Sequence, residues 1–280
     1  MPELPEVETV TRGLEEKLLG TTLACVKTRR EGLRYPFPSA LRTCEGCDVV
    51  ALTRRGKFVL MALSGGQTVL LHLGMSGRLT FPQAGTPVER HDHVSFYFTA
   101  ENAPDVATDV EVRFNDPRRF GVVDVHPTDA LSSNRHLKNL GYEPLASDFT
   151  SEKLYTILKG RKVAVKQAIM NSRLLVGVGN IYASEALFRA GIRPGIAANR
   201  LSKARVAALH GAIQAVLVDA IAAGGTSLRD YVQTDGTLGY FQHQFQVYGR
   251  AGEPCKACST PIKKIVQSAR AGFYCPWCQT

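Results

Sequence analysis

Residues 255–278, CKACSTPIKKIVQSARAGFYCPWC, decide how the C-terminal end of this chain folds. Two Cys-x-x-Cys pairs lie in this stretch, Cys255 with Cys258 and Cys275 with Cys278, and sixteen residues separate the pairs. Each pair can present two thiolates from one tight turn, and two such turns complete a tetrahedron. Four protein ligands leave no open coordination position for water. The pattern therefore predicts one structural Zn²⁺ in a terminal zinc finger.

The residues around these cysteines are rich in positive charge. A ribbon of this size buries little apolar surface without its metal, so its strands stay exposed. We expect the cations on such strands to contact phosphates, although each one taken singly also fits a solvated surface charge. The cations in question are Arg250, Lys256, Lys263, Lys264 and Arg270.

Three further cysteines lack this arrangement. Cys44-x-x-Cys47 has the same spacing as the C-terminal pairs, but only Cys25 remains to complete a site. Two or three thiols at unrelated positions do not form a tetrahedral set. We interpret all three as ordinary reduced cysteines.

The charge of the whole chain restricts its partners and its location. With 34 Lys and Arg against 25 Asp and Glu, the net charge is +9, which favours a polyanionic partner but also fits a ribosomal factor or a basic enzyme. No uninterrupted apolar run reaches the length of about 18 residues that spans a bilayer. The start MPELPEVETV is unsuited to be a signal peptide. These features predict a cytoplasmic, nucleoid-associated protein without a membrane segment.

The first part of the chain has the pattern of a β domain. Short segments rich in β-branched and aromatic residues predict strands at 68–73, 94–98 and 121–125. One helix precedes them, with Pro5 in its first turn and Gly20 at its end. Residues 100–109 are predicted to form an exposed hairpin loop, to which no function is assigned.

The second part has helical periodicity. We predict helices at Ser151–Leu158, 164–170 and 180–190, followed by a longer helix that begins after the N-cap Ser202 and ends before Gly224. The apolar positions that predict the buried stripe of this longer helix are Val206, Leu209, Ile213, Val216 and Ala220. The predicted divisions are 1–132 for the β domain, 133–150 for a connection, 151–249 for the helical domain and 250–280 for the zinc finger.

The chain start can supply an unusual nucleophile. Pro2 follows Met1, and a small second residue permits removal of the initiator methionine, which would leave a secondary amine. An α-amine with a pKa near about 8 is partly neutral at physiological pH and can form a Schiff base. Glu3 and Glu6 lie close enough to assist proton transfer. The alternative is structural, because Pro5 can open a helix whose dipole favours acidic residues.

Several sequence blocks follow one another along almost the whole chain. They are PELPEVETV at the start, HLGMSG at 72–77, HDHV at 91–94, DPRRFG at 116–121, GVGNIYASE at 177–185, TDG at 234–236, QVYGR at 246–250 and the closing zinc finger. An ordered series of blocks is far more specific than one short motif. In this order the blocks resemble those of the bacterial formamidopyrimidine-DNA glycosylase family, also called 8-oxoguanine DNA glycosylase.

This resemblance implies an α+β multidomain fold: an N-terminal two-layer β-sandwich, a C-terminal helical domain with a helix–two-turn–helix motif, and a terminal zinc finger. It implies a monomer that binds double-stranded DNA, containing an oxidised purine or an abasic site, in the cleft between its halves. The implied activity is that of a bifunctional glycosylase and apurinic/apyrimidinic lyase of base excision repair. Such an enzyme excises 8-oxoguanine and formamidopyrimidines and then cleaves the strand by β,δ-elimination.

The resemblance also implies catalytic roles for residues in the matching blocks. Pro2 would be the Schiff-base nucleophile, Glu3 the general acid, and Glu6 a supporting residue. Lys57, in RRGKF, would contact a phosphate and donate a proton during β-elimination. Arg270, in the zinc finger, would bind the phosphates of the lesion and assist δ-elimination.

Other matching residues are implied to bind DNA. Asn180 would bind a phosphate from the start of its helix, where backbone N–H groups favour anions. His91 and Lys162 match further DNA-binding positions of the family. Residues 234–248 would fold as a lid over the extruded base, because Gly236 and Gly239 permit movement.

Extrusion of a damaged nucleotide leaves a gap in the duplex, which apolar wedges can fill. Met75, Arg118 and Phe120 resemble the three void-filling residues of the family, with Arg118 bonding to the orphaned base. Flanking glycines and arginines favour exposed loop tips over core packing at these positions. The related endonuclease VIII branch differs here and usually begins PEGPE, so Leu4 and this wedge set favour oxidised purines opposite cytosine.

Two other functions remain open at this stage. One is a pyrimidine-directed member of the same superfamily. The other is a catalytically silent, zinc-containing DNA-binding protein, which the presence of Pro2, Glu3 and Lys57 makes less favoured.

Overall fold

The computed structural model describes residues 2–100, 109–226, 234 and 239–280. The chain divides into two compact units, Met1–Lys138 with Ala223–Tyr240, and Asn139–Ala222 with Phe241–Thr280. The predicted hairpin loop at 100–109 falls almost entirely outside the described residues. So do four residues, 235–238, of the predicted lid. The four predicted divisions of the chain stay predictions.

The part of the first unit that the structure describes has one α-helix and eight antiparallel strands. The strands are hydrogen-bonded in the order β5-β7-β6-β1-β2-β3-β4-β8. Their bounds, with the helix first, are α1 Leu4–Leu18, β1 Thr22–Thr28, β2 Cys47–Arg55, β3 Phe58–Leu63, β4 Gln67–His72, β5 Arg78–Thr80, β6 Asp92–Thr99, β7 Val110–Asn115 and β8 Val122–Pro127. All three predicted strands are confirmed, and Gly20 follows the end of α1 as expected.

The eight strands form two halves that share one core. β1 and β2 join the halves through only two pairs of residues, Thr22 with Asp48 and Leu23 with Cys47. Buried residues from both halves and from α1 belong to one hydrophobic cluster, which is the arrangement of a β-sandwich. Members from the helix and the two halves include Val10, Leu14, Val59, Val69, Phe96 and Phe114. This confirms the predicted sandwich.

The second unit begins with helices. They are α2 Ser151–Leu158, α3 Val165–Ile169, α4 Asn180–Arg189 and α5 Lys203–Ala222. The side chain of Ser202 accepts the Arg205 N–H at 3.3 Å, so it caps α5 as predicted. The five apolar positions predicted for the stripe of α5 are all buried. α5 packs against α2 and α4, and α3 contacts α4.

α5 also meets a criterion of length and composition for a membrane span. It is 20 residues long with a mean hydropathy of 1.4, although no uninterrupted apolar run of about 18 residues lies within it. Its polar residues bond within the unit: Gln214 donates to the Pro144 carbonyl at 3.1 Å, and Asp219 pairs with Arg189. These bonds and the buried stripe are those of a helix packed in a protein core.

The second unit ends in a two-stranded antiparallel ribbon, β9 Lys263–Gln267 and β10 Arg270–Tyr274. Four buried residues, Val247, Cys255, Ile262 and Cys275, form its small hydrophobic cluster. The ribbon is tied to the end of α4 through Gln279, which donates to the Ile192 carbonyl at 2.8 Å and accepts the Cys275 N–H at 2.8 Å. β10 also packs against α4.

Candidate catalytic and DNA-binding sites

The start of the chain is fixed by a capping box. Pro2 and Glu3 are buried, and Glu3 is the N-cap of α1. The Glu3 side chain accepts the Glu6 N–H, and Glu6 Oε2 accepts the Glu3 N–H at 2.7 Å. The other Glu6 oxygen accepts the Thr226 N–H at 2.8 Å. Each oxygen of Glu6 therefore accepts a hydrogen bond from a backbone N–H. Such contacts agree with the alternative given above, in which the acidic residues near Pro5 stabilise the start of a helix.

Lys57 lies in the turn between β2 and β3, the two strands against which α1 packs, and it is half-buried. Arg54 connects this turn to the helix, because it donates to the Gly56 carbonyl at 2.9 Å and to Glu8 Oε2 at 2.8 Å. Burial, the largest influence, raises the pKa of Glu8. Hydrogen bonds and charges from Arg54 and Arg12 outweigh it and leave this pKa below its usual value. The sequence pattern gave no signal for Glu8 or Arg54.

A neutral histidine, His72, bonds to the loop of Met75 and feels the charge of Lys57. His72 Nδ1 accepts the Gly74 N–H at 3.0 Å, so its remaining proton is on Nε2. Burial lowers the pKa of His72 most, and the positive charges of Lys57 and Arg34 and the His136 ring lower it further, to about 4. The imidazole therefore stays an acceptor at neutral pH.

The three predicted wedge residues lie on two neighbouring loops of the first unit, which we call the wedge loops: residues 73–77 and 116–121. Met75 is half-buried, Arg118 is exposed, and Phe120 is 43% exposed. The Arg118 guanidinium lies 5.2 Å from the centre of the Phe120 ring. These exposures agree with loop tips rather than with core packing. The predicted roles of the three side chains stay predictions.

His91 immediately precedes β6 and is half-buried, with its ring centre 6.2 Å from that of His93. The structure places it at the base of the second wedge loop, because its carbonyl accepts the Asp116 N–H at 3.0 Å. This backbone contact does not test the predicted role of the imidazole in binding DNA.

Asn180 is the first residue of α4 in the second unit. Its side-chain oxygen accepts a hydrogen bond from Lys166 Nζ at 2.6 Å, which leaves the side-chain NH₂ of Asn180 as the donor for a ligand. Lys166 is only 2% exposed and also donates to the Ala271 carbonyl at 3.0 Å. Lys166 was not among the residues predicted from the sequence, although a lone lysine within the apolar helix VKQAI was the available signal.

Arg270 is exposed at the first position of β10, after a turn of two residues. Both turn residues, Ser268 with φ 47° and Ala269 with φ 59°, are left-handed although neither is glycine. Gln167 donates to the Ser268 hydroxyl at 2.6 Å and so ties the turn to α3. Arg270 and Lys166 both line a cavity of about 220 Å³ at this turn.

Two further predictions concern the second unit. Lys162 is exposed in the loop before α3. The later part of the predicted lid is packed: Phe241, Phe245 and Val247 are buried. The buried carboxylate of Glu185 accepts the backbone N–H groups of residues 246, 247 and 248 at 2.8–3.0 Å. The segment is therefore anchored at this end, and a moving lid stays a prediction.

The four C-terminal cysteines form a compact ligand set. Their sulfur atoms all lie within 4.8 Å of one another, with 3.4 Å between Cys258 and Cys275 and 3.9 Å between Cys255 and Cys278. A tetrahedron with Zn–S distances of about 2.3 Å has S–S edges of about 3.8 Å. The residues fit one structural Zn²⁺ with no open position, as predicted.

The other Cys-x-x-Cys pair has a different environment. Among the described residues, Cys25, Cys44 and Cys47 take part in no group of potential metal ligands. Burial, followed by the nearby Cys47, raises the pKa of Cys44 to about 11, so Cys44 stays a protonated thiol at neutral pH. These observations agree with ordinary reduced cysteines.

Comparison with protein families gives matches over three consecutive segments of the chain. The formamidopyrimidine-DNA glycosylase N-terminal domain matches residues 1–123, and the formamidopyrimidine-DNA glycosylase H2TH domain matches residues 140–232. The zinc finger found in FPG and IleRS matches residues 252–280. The zinc finger match includes all four clustered cysteines.

Relatives are similar over their full length. A formamidopyrimidine-DNA glycosylase of Thiobacillus denitrificans is 51% identical over 280 residues, and one of Ruegeria sp. is 46% identical, with all of each chain covered. The crystal structure of the MutM (Fpg) protein from Thermus thermophilus is 36% identical, with a TM-score of 0.87 over 99% of this chain and 98% of that one. The complex of a Lactococcus lactis FPG mutant with Fapy-dG-containing DNA is 31% identical, with a TM-score of 0.89 over 100% of both chains. The chain therefore belongs to the formamidopyrimidine-DNA glycosylase family.

Proposed function

We propose that this chain is a bifunctional DNA glycosylase and apurinic/apyrimidinic lyase that removes oxidised purines from duplex DNA in base excision repair. The names of its relatives support the glycosylase activity. The Lactococcus lactis protein has been crystallised with DNA containing Fapy-dG and with DNA containing an abasic site. Within this chain, the observation that carries the proposal is the fixed position of the first residues, since chain termini are commonly frayed.

Removal of Met1 is a condition of this mechanism. While Met1 is attached, the Pro2 nitrogen is a tertiary amide with neither a proton nor a basic lone pair, and Pro2 is buried. Hydrolysis of the Met1–Pro2 bond converts this nitrogen into a secondary amine and removes the residue attached to it. A free α-amine with a pKa near about 8 is partly neutral and nucleophilic at physiological pH.

The proposed reaction begins at C1′ of the damaged nucleotide. The Pro2 nitrogen forms a bond to C1′, the bond between C1′ and the base breaks, and the base leaves with a proton. Opening of the sugar ring then gives an iminium ion between Pro2 and C1′. Glu3, whose carboxylate lies at the start of α1, is the proposed proton donor.

The iminium ion makes strand cleavage possible. Its positive charge acidifies the C2′ proton, and loss of that proton expels the 3′ phosphate. A second elimination removes the C4′ proton and expels the 5′ phosphate, and hydrolysis of the remaining iminium ion frees Pro2. Lys57 is the proposed proton donor in the first elimination and Arg270 in the second.

Four side chains are proposed to bind DNA. Asn180 offers an amide donor at a helix start, and Arg270 offers a guanidinium at an exposed turn. Lys162 and His91 are proposed as further contacts. Met75, Arg118 and Phe120 would fill the space that the extruded nucleotide leaves, because a base inside the stack cannot be reached by a nucleophile.

A wider substrate range is the second candidate function. The wild-type Lactococcus lactis protein has also been crystallised with DNA containing an oxidised pyrimidine. The active groups proposed here act on the sugar, so they do not themselves exclude a pyrimidine. The choice of base would then depend on the wedge residues and on the segment proposed as a lid.

Borohydride trapping tests the proposal. The protein is incubated with duplexes that carry 8-oxoguanine or an oxidised pyrimidine, and borohydride reduces any iminium to a stable bond that is seen on a denaturing gel. We expect trapping with 8-oxoguanine. Trapping with both duplexes would indicate the wider substrate range, and trapping only with the pyrimidine would indicate a pyrimidine-directed enzyme. No trapping with either duplex would leave a DNA-binding protein without catalytic activity.

The matched control is the same protein with Met1 retained, verified by mass spectrometry. We expect this form to bind duplex DNA almost as tightly as the processed form but to give no trapped product and no base excision. Equal excision by the two forms would contradict the role of the Pro2 amine.

A further inference from the structure

The two wedge loops are joined beneath their exposed tips by a buried carboxylate. Asp116 is fully buried, and Ser76 is 6% exposed. The Ser76 hydroxyl donates to Asp116 Oδ1 at 2.8 Å, and the Gly121 N–H donates to Asp116 Oδ2 at 2.8 Å. One carboxylate thus binds a side chain of the first loop and the last backbone donor of the second.

The direction of these bonds extends the link to Arg118. Since the Ser76 hydroxyl gives its only proton to Asp116, its lone pairs are free to accept the Arg118 N–H at 3.2 Å. The backbone of Arg118 is therefore held through Ser76 by the same carboxylate. A buried chain of hydrogen bonds is stronger than the same bonds in water, because the surrounding dielectric constant is low.

Backbone packing brings the loops into direct contact. Gly74 has a φ of 63°, and a Cβ at this position would lie 2.5 Å from the carbonyl carbon of Phe120. Only glycine permits both this conformation and this approach. The first loop is therefore packed against the backbone of Phe120.

The backbone of Asp116 is hydrogen-bonded to β6 and to the residue before this strand. The Asp116 N–H donates to the His91 carbonyl at 3.0 Å, and His93 Nε2 donates to the Asp116 carbonyl at 2.9 Å. His93 belongs to β6 in the middle of the hydrogen-bonded sheet order. Asp116 is thus held on its backbone by the sheet while its side chain holds the two loops.

We propose that Asp116 and Ser76 are positioning residues that assemble Met75, Arg118 and Phe120 into one wedge before DNA arrives. This inference rests on the proposed function, since it assigns a support to the residues that fill the duplex. A wedge that is ordered beforehand loses little conformational entropy when it enters DNA. Loops that had to order during entry would slow extrusion.

The experiment compares Ser76→Ala with Ser95→Ala. Both serines are buried in the first unit, but the Ser95 hydroxyl accepts bonds from Arg29 and, among the residues that the structure describes, bonds to neither wedge loop. Extrusion is followed by the fluorescence of 2-aminopurine placed beside the lesion in a duplex. Cleavage of an abasic site in single-stranded DNA, which needs no extrusion, is measured in parallel. Thermal unfolding shows whether both variants fold.

We expect Ser76→Ala to slow both extrusion and 8-oxoguanine excision in duplex DNA at least about fivefold, because the variant loses both the bond to Asp116 and the bond from the Arg118 N–H. Its cleavage of single-stranded abasic DNA should stay within about twofold of wild type. Ser95→Ala should extrude at the wild-type rate. Equal extrusion rates for the two variants would overturn the inference. If the wild-type protein itself cleaves neither substrate, the proposed function has failed and not the support of the wedge alone.

Discussion

The wedge loops and the tip of the zinc ribbon are both short exposed turns, but they are held in place in two different ways. Each presents exposed side chains on a short turn, Arg118 and Phe120 in one case and Arg270 in the other. The wedge loops stand on a β-sandwich whose hydrophobic cluster has 24 buried members. The ribbon has a cluster of four buried residues, two of which are cysteines of the metal site.

This difference shows what a rigid tip requires. Where a large core already fixes the strands, one buried carboxylate can hold two loops together through hydrogen bonds. Where the core is too small to fold by itself, a metal ion has to supply the stability first. The ribbon then adds hydrogen bonds from Lys166 and Gln167 to place the turn.

The largest effect is expected when a substitution destroys the metal site of the ribbon. In Cys275→Ser we expect zinc content to fall from one ion per chain to none, because a hydroxyl is a poor zinc ligand and the ribbon cannot fold without metal. DNA affinity should fall at least about tenfold as Arg270 loses its position. Zinc is measured by atomic absorption and binding by titration of labelled duplex DNA.

Cys47→Ser is the matched control for that substitution. Cys47 belongs to a Cys-x-x-Cys pair without a second pair, and the described residues place it in no metal-ligand group. Zinc content and DNA affinity should stay at wild-type values. Loss of zinc in Cys47→Ser, or its retention in Cys275→Ser, would reverse our assignment of the two kinds of pair.

The second test concerns the histidine that supports the first wedge loop. His72 has a pKa of about 4 in the folded protein against 6.5 for an unperturbed imidazole. Between these values the unfolded chain binds the proton and the folded chain does not, so stability falls as the pH falls from about 6.5 to about 4. The loss should be at most about 3 kcal/mol.

His72→Asn isolates this contribution, because its side-chain oxygen can accept the Gly74 N–H but does not titrate. Urea unfolding at several pH values should show a steeper loss of stability for wild type than for the variant between pH 6.5 and 4. Parallel pH profiles for the two proteins would contradict the assigned cause.

The third test asks whether Lys166 supports DNA binding through its hydrogen bonds or only through its positive charge. Lys166→Met removes the bonds to Asn180 and to Ala271 while keeping side-chain length. DNA affinity should fall about fivefold, because Asn180 and the backbone next to Arg270, the two groups proposed to bind phosphates, each lose a hydrogen bond. Stability should change by less than about 1 kcal/mol, because the variant also avoids burying a charge.

Lys159→Met controls for the loss of one positive charge. Lys159 is exposed at the end of α2, in the same unit. Titrations at two salt concentrations should show a small, salt-dependent loss of affinity for Lys159→Met and a larger loss for Lys166→Met. If the two variants weaken binding equally, Lys166 acts only through its charge.

The smallest effect is expected at the turn before Arg270. Ala269 has a left-handed φ of 59°, a conformation that costs an L-residue about 1 kcal/mol and costs glycine almost nothing. Ala269→Gly should therefore stabilise the ribbon against zinc chelation and unfolding by up to about 1 kcal/mol. Ala271→Gly, in the regular part of β10, should destabilise it by about 0.5–1 kcal/mol. Destabilisation by both variants would show that the turn is not strained.

Local patterns in the sequence predicted much of this molecule. Periodicity and caps located α1, α2, α4 and α5, because these depend on residues within a few positions of one another. The zinc site followed from the spacing of two cysteine pairs, whereas the single pair at Cys44 showed that spacing alone is insufficient. The ordered sequence blocks indicated the family.

The supporting residues could not be predicted in this way. Ser76 and Asp116 are 40 positions apart, and Lys166 bonds to a carbonyl 105 positions away. Glu185 holds a segment about 60 positions further along the chain. Such pairs carry no periodicity or fixed spacing, and only the fold brings them together. The pairing of Gln214 in α5 with the Pro144 carbonyl is of the same kind, because it joins residues 70 positions apart.

The hydrogen bond between Glu6 and Thr226 spans 220 positions. During translation, the first residues therefore cannot complete their final bonds until residue 226 has left the ribosome. For most of synthesis the nascent N-terminus lacks this closing partner, and an aminopeptidase that trims initiator methionine has its opportunity then. Folding of the finished polypeptide would end that opportunity, so maturation of the proposed nucleophile is tied to the order in which the chain is made.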